Sequence, residues 1–174
     1  MRTPRALFAL LVLGVGMGGC AHGPAPNMWA ASVCEALAPW RAEIGGLTAR
    51  TQQQMTAKTT PAQAKENLVR LFAGAEAASE TARARVAHAG VPNATNGERV
   101  ARGFVASLTA ARNAYGRAKT AVAALDTAQA KAFYDGVSVV LVTLNQEYGR
   151  SALDMSNLDS PELRRAFDEV PECH

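Results

Sequence analysis

Histidine and cysteine are scarce in this chain, at three residues each. His22, His88 and His174 stand far apart, so neither the Glu-x-x-His pairs of a di-iron bundle nor the His-Glu-x-x-His of a zinc protease occurs. Cys173-His174 is the single cysteine beside a histidine, and no Cys-x-x-Cys-His haem attachment exists. Glycine-rich phosphate loops and dinucleotide fingerprints are also missing. Gly136-Val137-Ser138 begins like a nucleophile elbow but lacks the second glycine and a strand-turn-helix context, which makes Ser138 an ordinary helix residue. Glu76 and Glu80 are one helical turn apart, the spacing of a carboxylate pair. No histidine or cysteine accompanies them, so they read as exposed flanking charges. The expectation is a protein that is not an enzyme, with no catalytic residue, no cofactor and no metal site.

An excess of one charge sign is lacking too. Lysine and arginine number 18 against 15 aspartates and glutamates, and Arg2 and Arg5 belong to a segment read below as removed. The bases left are scattered: Arg83, Arg85, Arg99, Arg102, Arg112, Arg117 and Lys119 lie among alanines on helical stretches. That is the pattern of a solvated face, whereas a nucleic-acid binder clusters its bases along a strip. No nucleic-acid partner is expected. Aromatic residues make up only 6% of the chain while alanine fills 36 of its 174 positions, so neighbouring helices are expected to approach closely over small side chains.

What is present begins with an address. Arg2 and Arg5 precede an almost wholly apolar run from Ala6 to Val15, the layout of an export signal. A spanning helix needs about 20 apolar residues, and this run weakens into Gly14, Gly16, Gly18 and Gly19, so cleavage is the better reading. Met17-Gly18-Gly19-Cys20 resembles a bacterial lipobox, in which the cysteine receives diacylglycerol on its sulfur and becomes the mature N-terminus; Met17 stands where that pattern has leucine. Ordinary signal-peptidase cleavage near Ala21 or Ala25 is the alternative. Two acyl chains make a stable anchor where one does not. Residues 1–19 are thus read as a lipoprotein signal peptide, Cys20 as the lipidation site, 20–27 as a flexible tether and 28–174 as one domain of ordinary size.

Committing Cys20 to lipid leaves Cys34 and Cys173 as a pair in an exported chain. A disulfide between them would tie the first helix to the C-terminus, and chain entropy assigns such a long loop on the order of 5 kcal/mol.

Periodicity predicts an all-α up-down bundle of about four main helices and a short C-terminal one. The first segment, Met28 to Lys58, lines up Val33, Leu37, Trp40, Ile44 and Leu47, with Pro39 and Gly45-Gly46 expected to bend or interrupt it. Trp40 is expected in the core, and Trp29 at the bundle end or the membrane interface. Thr60, Pro61 and Gln63 form a capping-box start for a second helix whose face is Leu68, Leu71, Phe72, Ala75, Ala78 and Ala82, stopping at Gly90. Thr95 and Glu98 repeat the spacing ahead of Ala101, Phe104, Leu108, Ala111, Tyr115, Ala118, Val122 and Leu125, which predicts a long helix antiparallel to the second. A fourth opens at Asp126-Thr127-Ala128-Gln129 and presents Phe133, Val137, Val140, Leu141, Leu144 and Tyr148; it is expected to be the most buried. Its β-branched run Val137 to Thr143 would suit a strand, but partner strands are lacking. Ser160-Pro161-Glu162 starts the last helix, with Leu163, Phe167 and Val170 inward and Pro171 as its stop.

From Met28 to His174 the chain resembles the small, alanine-rich exported lipoproteins of actinobacteria. The resemblance rests on Cys34 with Trp40 and Ile44, on Ala89-Gly90-Val91-Pro92 before Asn96-Gly97, and on Pro171-Glu172-Cys173. It implies a fold and a location at the outer face of the cell membrane, and it carries over no catalytic residue. The leading functional reading is a non-enzymatic binding or interaction module of the cell envelope with a protein partner. A carrier of a small apolar ligand, or an enzyme whose polar groups converge only in three dimensions, are the alternatives.

Intact mass spectrometry of mature protein extracted gently from its host membrane is expected to show a chain starting at acylated Cys20. Reduction should add about two hydrogens for one disulfide. An unlipidated mass would mean a freely secreted protein.

Overall fold

The computed structural model describes residues 23–151 and 158–174. The export segment, Cys20 and His22 lie outside the described residues. Five helices follow in order: α1 Pro26–Gln54, α2 Pro61–His88, α3 Gly97–Ala124, α4 Ala130–Ser151 and α5 Pro161–Glu169, then a 3₁₀ turn, Pro171–Cys173. The bundle is all-α as periodicity predicts. The β-branched run from Val137 to Thr143 is helical throughout.

Cross-helix contacts fix the up-down order. Trp29 of α1 reaches Gly90 beyond the end of α2, while Trp40 reaches Ser79 further back, so the two helices run antiparallel. Glu76 and Glu80 of α2 meet Lys119 and Arg112 of α3 in the same descending order. Tyr115 of α3 faces Tyr148 of α4, and Leu125 lies against Gly136. α2 and α3 form the central pair, α1 and α5 cover one side, and α4 packs on α3 with a small contact to α2.

Local chemistry explains the boundaries. The Thr60 hydroxyl accepts from the Gln63 N–H while the Gln63 side chain accepts from the Thr60 N–H, the reciprocal cap that the sequence predicts. α2 stops because Gly90 adopts φ +74, a left-handed conformation that L side chains rarely take. Lys65 donates to the Leu125 carbonyl at 2.8 Å, placing a cation at the C-terminal end of α3. Ser160 caps α5 through the Leu163 N–H.

Three expectations are corrected. α1 runs unbroken through Pro39 and Gly45-Gly46. Pro39 is exposed, so the Glu35 carbonyl it leaves without an intrahelical partner lies on the water side. Beyond the glycines Leu47 seats against Gly74 of α2, where a Cβ would stand only 2.8 Å from its methyls, and this packing outweighs the low helix propensity of glycine. Thr95 does not cap α3: Asn96 is the cap residue at φ 58, and the Thr95 hydroxyl donates to Glu162 of α5 instead. Asp126 accepts from the Ala128 N–H in the turn before α4, and the helix itself begins at Ala130.

The core falls into two clusters. One gathers Trp29, Val33 and Leu37 of α1, Val86 of α2, Phe104 of α3 and Leu163 and Phe167 of α5. Trp29 is fully buried there, 5.4 Å from Phe104 and 5.9 Å from Phe167, with its Nε1–H donating to the Gly90 carbonyl at 2.9 Å. Trp29 thus packs at the end of the bundle, one of the two places expected of it, and is buried there, whereas Trp40 is less buried than expected. Trp40 is half-buried at the edge of this cluster, donating to Ser79, whose own hydroxyl donates to the Ala75 carbonyl. The second cluster joins Leu68 and Phe72 of α2, Val122 of α3, and Phe133 and Val137 of α4.

A disulfide links Cys34 of α1 to Cys173 with Cα atoms 5.0 Å apart, closing the chain over the first cluster. A Cys34→Ser, Cys173→Ser variant is expected to lose on the order of 5 kcal/mol in urea unfolding, lowering the melting temperature by roughly 10–20 °C. An unchanged melting temperature would show that the packing of α5 on α1 suffices without the bond.

Candidate docking surface

α4 departs most from its expected burial. Among its described side chains only Phe133 and Val137 are buried. Val140 and Leu144 are half-buried against the second cluster, and Leu141 and Tyr148, predicted inward, are exposed. Tyr134 is exposed as well, and two further valines are open to solvent, Val139 by 66% and Val142 by 52%. Periodicity marked a broad apolar face correctly but carried no information about whether a second layer covers it.

Residues 136 to 146 contain no charged side chain. A solvated helix face normally carries charge, so an uncharged helical stretch that leaves Val139 and Val142 exposed is unusual. Next to it the α3–α4 seam opens into a groove of about 210 Å³ lined by Ala114, Ala118, Ala121, Val139, Val140 and Leu144. Alanines of α3 form one wall because they leave room beside the helix axis; β-branched and leucine side chains of α4 form the other. Arg117 and Glu147 border the groove and pair across it at 2.9 Å. Below, Tyr115 and Tyr148 lie 6.3 Å apart between rings. Burial pushes the Tyr115 hydroxyl up to about 12, with Tyr148 adding to the rise. It therefore stays neutral at physiological pH. The arrangement offers shape and apolar surface rather than reactive groups.

The remaining sequence candidates are found elsewhere and apart. Ser138 is an exposed residue of α4. His88 ends α2, beside Arg85 and Glu35 in an open groove between α1 and α2. His174 approaches the Asp168 carbonyl, and Cys173 is oxidised in the disulfide and thus holds no thiolate for a metal. Among the described residues no three His, Cys, Asp or Glu side chains gather as a metal site would require. No described helix is long and apolar enough to cross a membrane. Sequence reading did not single out Val139, Val142 or Tyr134. The available signal was the charge-free interval itself, whereas the broad apolar face was taken as a sign of burial.

Glu76 and Glu80 act as cross-helix ties between α2 and α3. Glu76 accepts from Lys119 at 2.5 Å, and Glu80 holds both Arg83 of its own helix and Arg112 of α3. Arg99, Arg102 and Arg117 also sit in ion pairs, with Asp159, Glu98 and Glu147. Most of the scattered bases are thus matched by carboxylates, as a solvated face requires.

No protein-family model matches the chain, and comparison with curated proteins and with solved structures gives no match.

The hydrogen bonds from Arg83 and Arg112 hold the Glu80 carboxyl at about 2, below its ordinary 4.5. A depressed carboxyl supports the fold above its ordinary pKa and loses that support as pH falls from 4.5 toward 2. The Glu80, Arg83 and Arg112 side chains are only half-buried and still reach water, so the contribution is small. A side-chain NMR titration should place the Glu80 midpoint near 2, with Arg112→Gln moving it upward. A midpoint at the ordinary value in the unaltered protein would contradict the bidentate tie.

Proposed function

We propose that this chain is an exported, lipid-anchored protein of the cell envelope, and that its helical domain is a non-enzymatic interaction module with a protein partner on the face of α4. The observation that carries the reading is the uncharged, exposed stretch of α4 around Val139 and Val142 beside its alanine-walled groove. An amphipathic helix from a partner matches such a surface: its apolar side chains enter the groove, and its polar flank meets Arg117 and Glu147 at the border. The anchor rests on the basic start, the apolar run and the lipobox-like Met17-Gly18-Gly19-Cys20. The disulfide supports export, since such bonds persist in oxidising compartments, and Cys20 takes no part in it.

Photo-crosslinking residues placed at Val139 and Val142 in the native host should capture one and the same envelope protein, and a residue at exposed Asn113 should not. Val142→Asp should abolish the crosslink from position 139. Because the side chain is already half in water, the same change should shift unfolding free energy by less than about 0.5 kcal/mol. Equal labelling from Asn113, or a crosslink insensitive to Val142→Asp, would sink the assignment of α4 as the docking face.

A further inference from the structure

Val91 and Met28 are both large apolar residues left exposed, by 46% and 67%, away from α4. They lie at the bundle end where the chain emerges. Pro24 is fastened there by the Asn93 N–H, which donates to its carbonyl at 2.9 Å. Gly23 passes so close to the α2–α3 turn that a Cβ on it would stand 1.9 Å from the Val91 carbonyl oxygen. α1 then begins at Pro26, within the segment that sequence reading assigned to the tether.

The consequence is a length limit. From Cys20 to the fastened Pro24 there are four peptide steps, which span at most about 14 Å when fully extended. We infer that the end of the bundle formed by Met28 and the Val91 turn docks on the lipid surface itself, with the helices standing away from it. This rests on Cys20 carrying the lipid. A diacylglyceryl sulfur sits at the level of the headgroups, and a reach of at most about 14 Å from there holds Pro24, and the Val91 turn against Gly23, close to the interface. Exposed apolar side chains at that point gain by entering the headgroup boundary, as they do in interfacial helices. The valines of α4 lie far from this end. Their neighbours on α3, Ala118 and Ala121, stand more than twenty residues from Gly97, roughly 30 Å along a helix at 1.5 Å per residue. End-on docking therefore leaves the α4 face clear of the bilayer.

The test uses the intact lipidated protein in phosphatidylcholine vesicles whose acyl chains are brominated just below the headgroups. Tryptophan emission is read over the unaltered protein's background in Val91→Trp and, separately, Val142→Trp. Both sites are exposed, and unchanged melting temperatures would show that both variants fold. Quenching of the added emission by at least half for Val91→Trp, and none for Val142→Trp, is expected. The reverse pattern means that the domain lies flat on α4 and overturns the proposal. Absence of quenching at both positions overturns it also, since the domain then stands off the membrane. Intact mass separates the two levels: acyl chains with an unquenched Val91→Trp refute the orientation alone, whereas missing acyl chains refute the anchor and the orientation with it.

Discussion

The burial of Trp29 constrains more of this molecule than any other contact. An indole buried without a partner for its N–H leaves a donor unsatisfied, at a cost of about 1–3 kcal/mol. The acceptor here is the Gly90 carbonyl, which is available because α2 has ended at His88 and Gly90 turns left-handed beyond it. The stop of α2, the angle at which α1 enters and the lid of α5 over the indole thus depend on one another. Phe104 and Phe167 both meet the indole edge-to-face, and their mutual stacking at 5.6 Å joins α3 to α5 without a direct chain connection. Asn96 and Arg99 then fasten the start of α3 to Asp159 ahead of α5. The disulfide adds a covalent closure to a site that packing already defines.

The elements read correctly from sequence are those whose determinants are local. The Thr60–Gln63 cap requires only residues three apart, and the heptad-like spacing of α3 places Phe104, Leu108, Ala111, Ala118 and Val122 inward as predicted. Cysteine arithmetic reached Cys34 and Cys173 because assigning Cys20 to lipid left them as the remaining pair. Where the reading failed, a distant partner decided the outcome. Thr95 has the spacing of a cap, yet Glu162, sixty-seven residues on, takes its hydroxyl. Trp40 continues an apolar stripe, but Ser79 draws its N–H to the edge of the cluster. Ser79 itself could not be foreseen on an inner face of α2: its hydroxyl is tolerated because it serves Trp40 and the Ala75 carbonyl at once.

α4 shows the same limit on the scale of an element. Periodicity describes a helix by itself, whereas burial depends on how many neighbours surround it. α2 has α1 on one side and α3 on the other; α4 has α3 and only the near end of α2. Phe133 and Val137 fall where α2 and α3 both reach them, and toward the C-terminal part of α4 the burial declines. The candidate surface was therefore visible in the sequence as a composition without charge. Its exposure was not, because exposure is a property of the layer count.

The two ends of the bundle consequently have different mechanical characters. The Trp29 end is closed by aromatic packing, a disulfide and hydrogen bonds from three separate segments. The α4 side is held by one helix face, the Arg117–Glu147 pair and a single pair of tyrosines. Stability that differs in this way across a small domain places the adaptable surface on the less crowded helix. A partner helix in the α3–α4 groove would supply the second layer that α4 lacks, covering Val139 and Val142 much as α1 covers α2. Binding and completion of the core would then be one physical event, driven by removal from water of apolar surface that the isolated chain cannot hide.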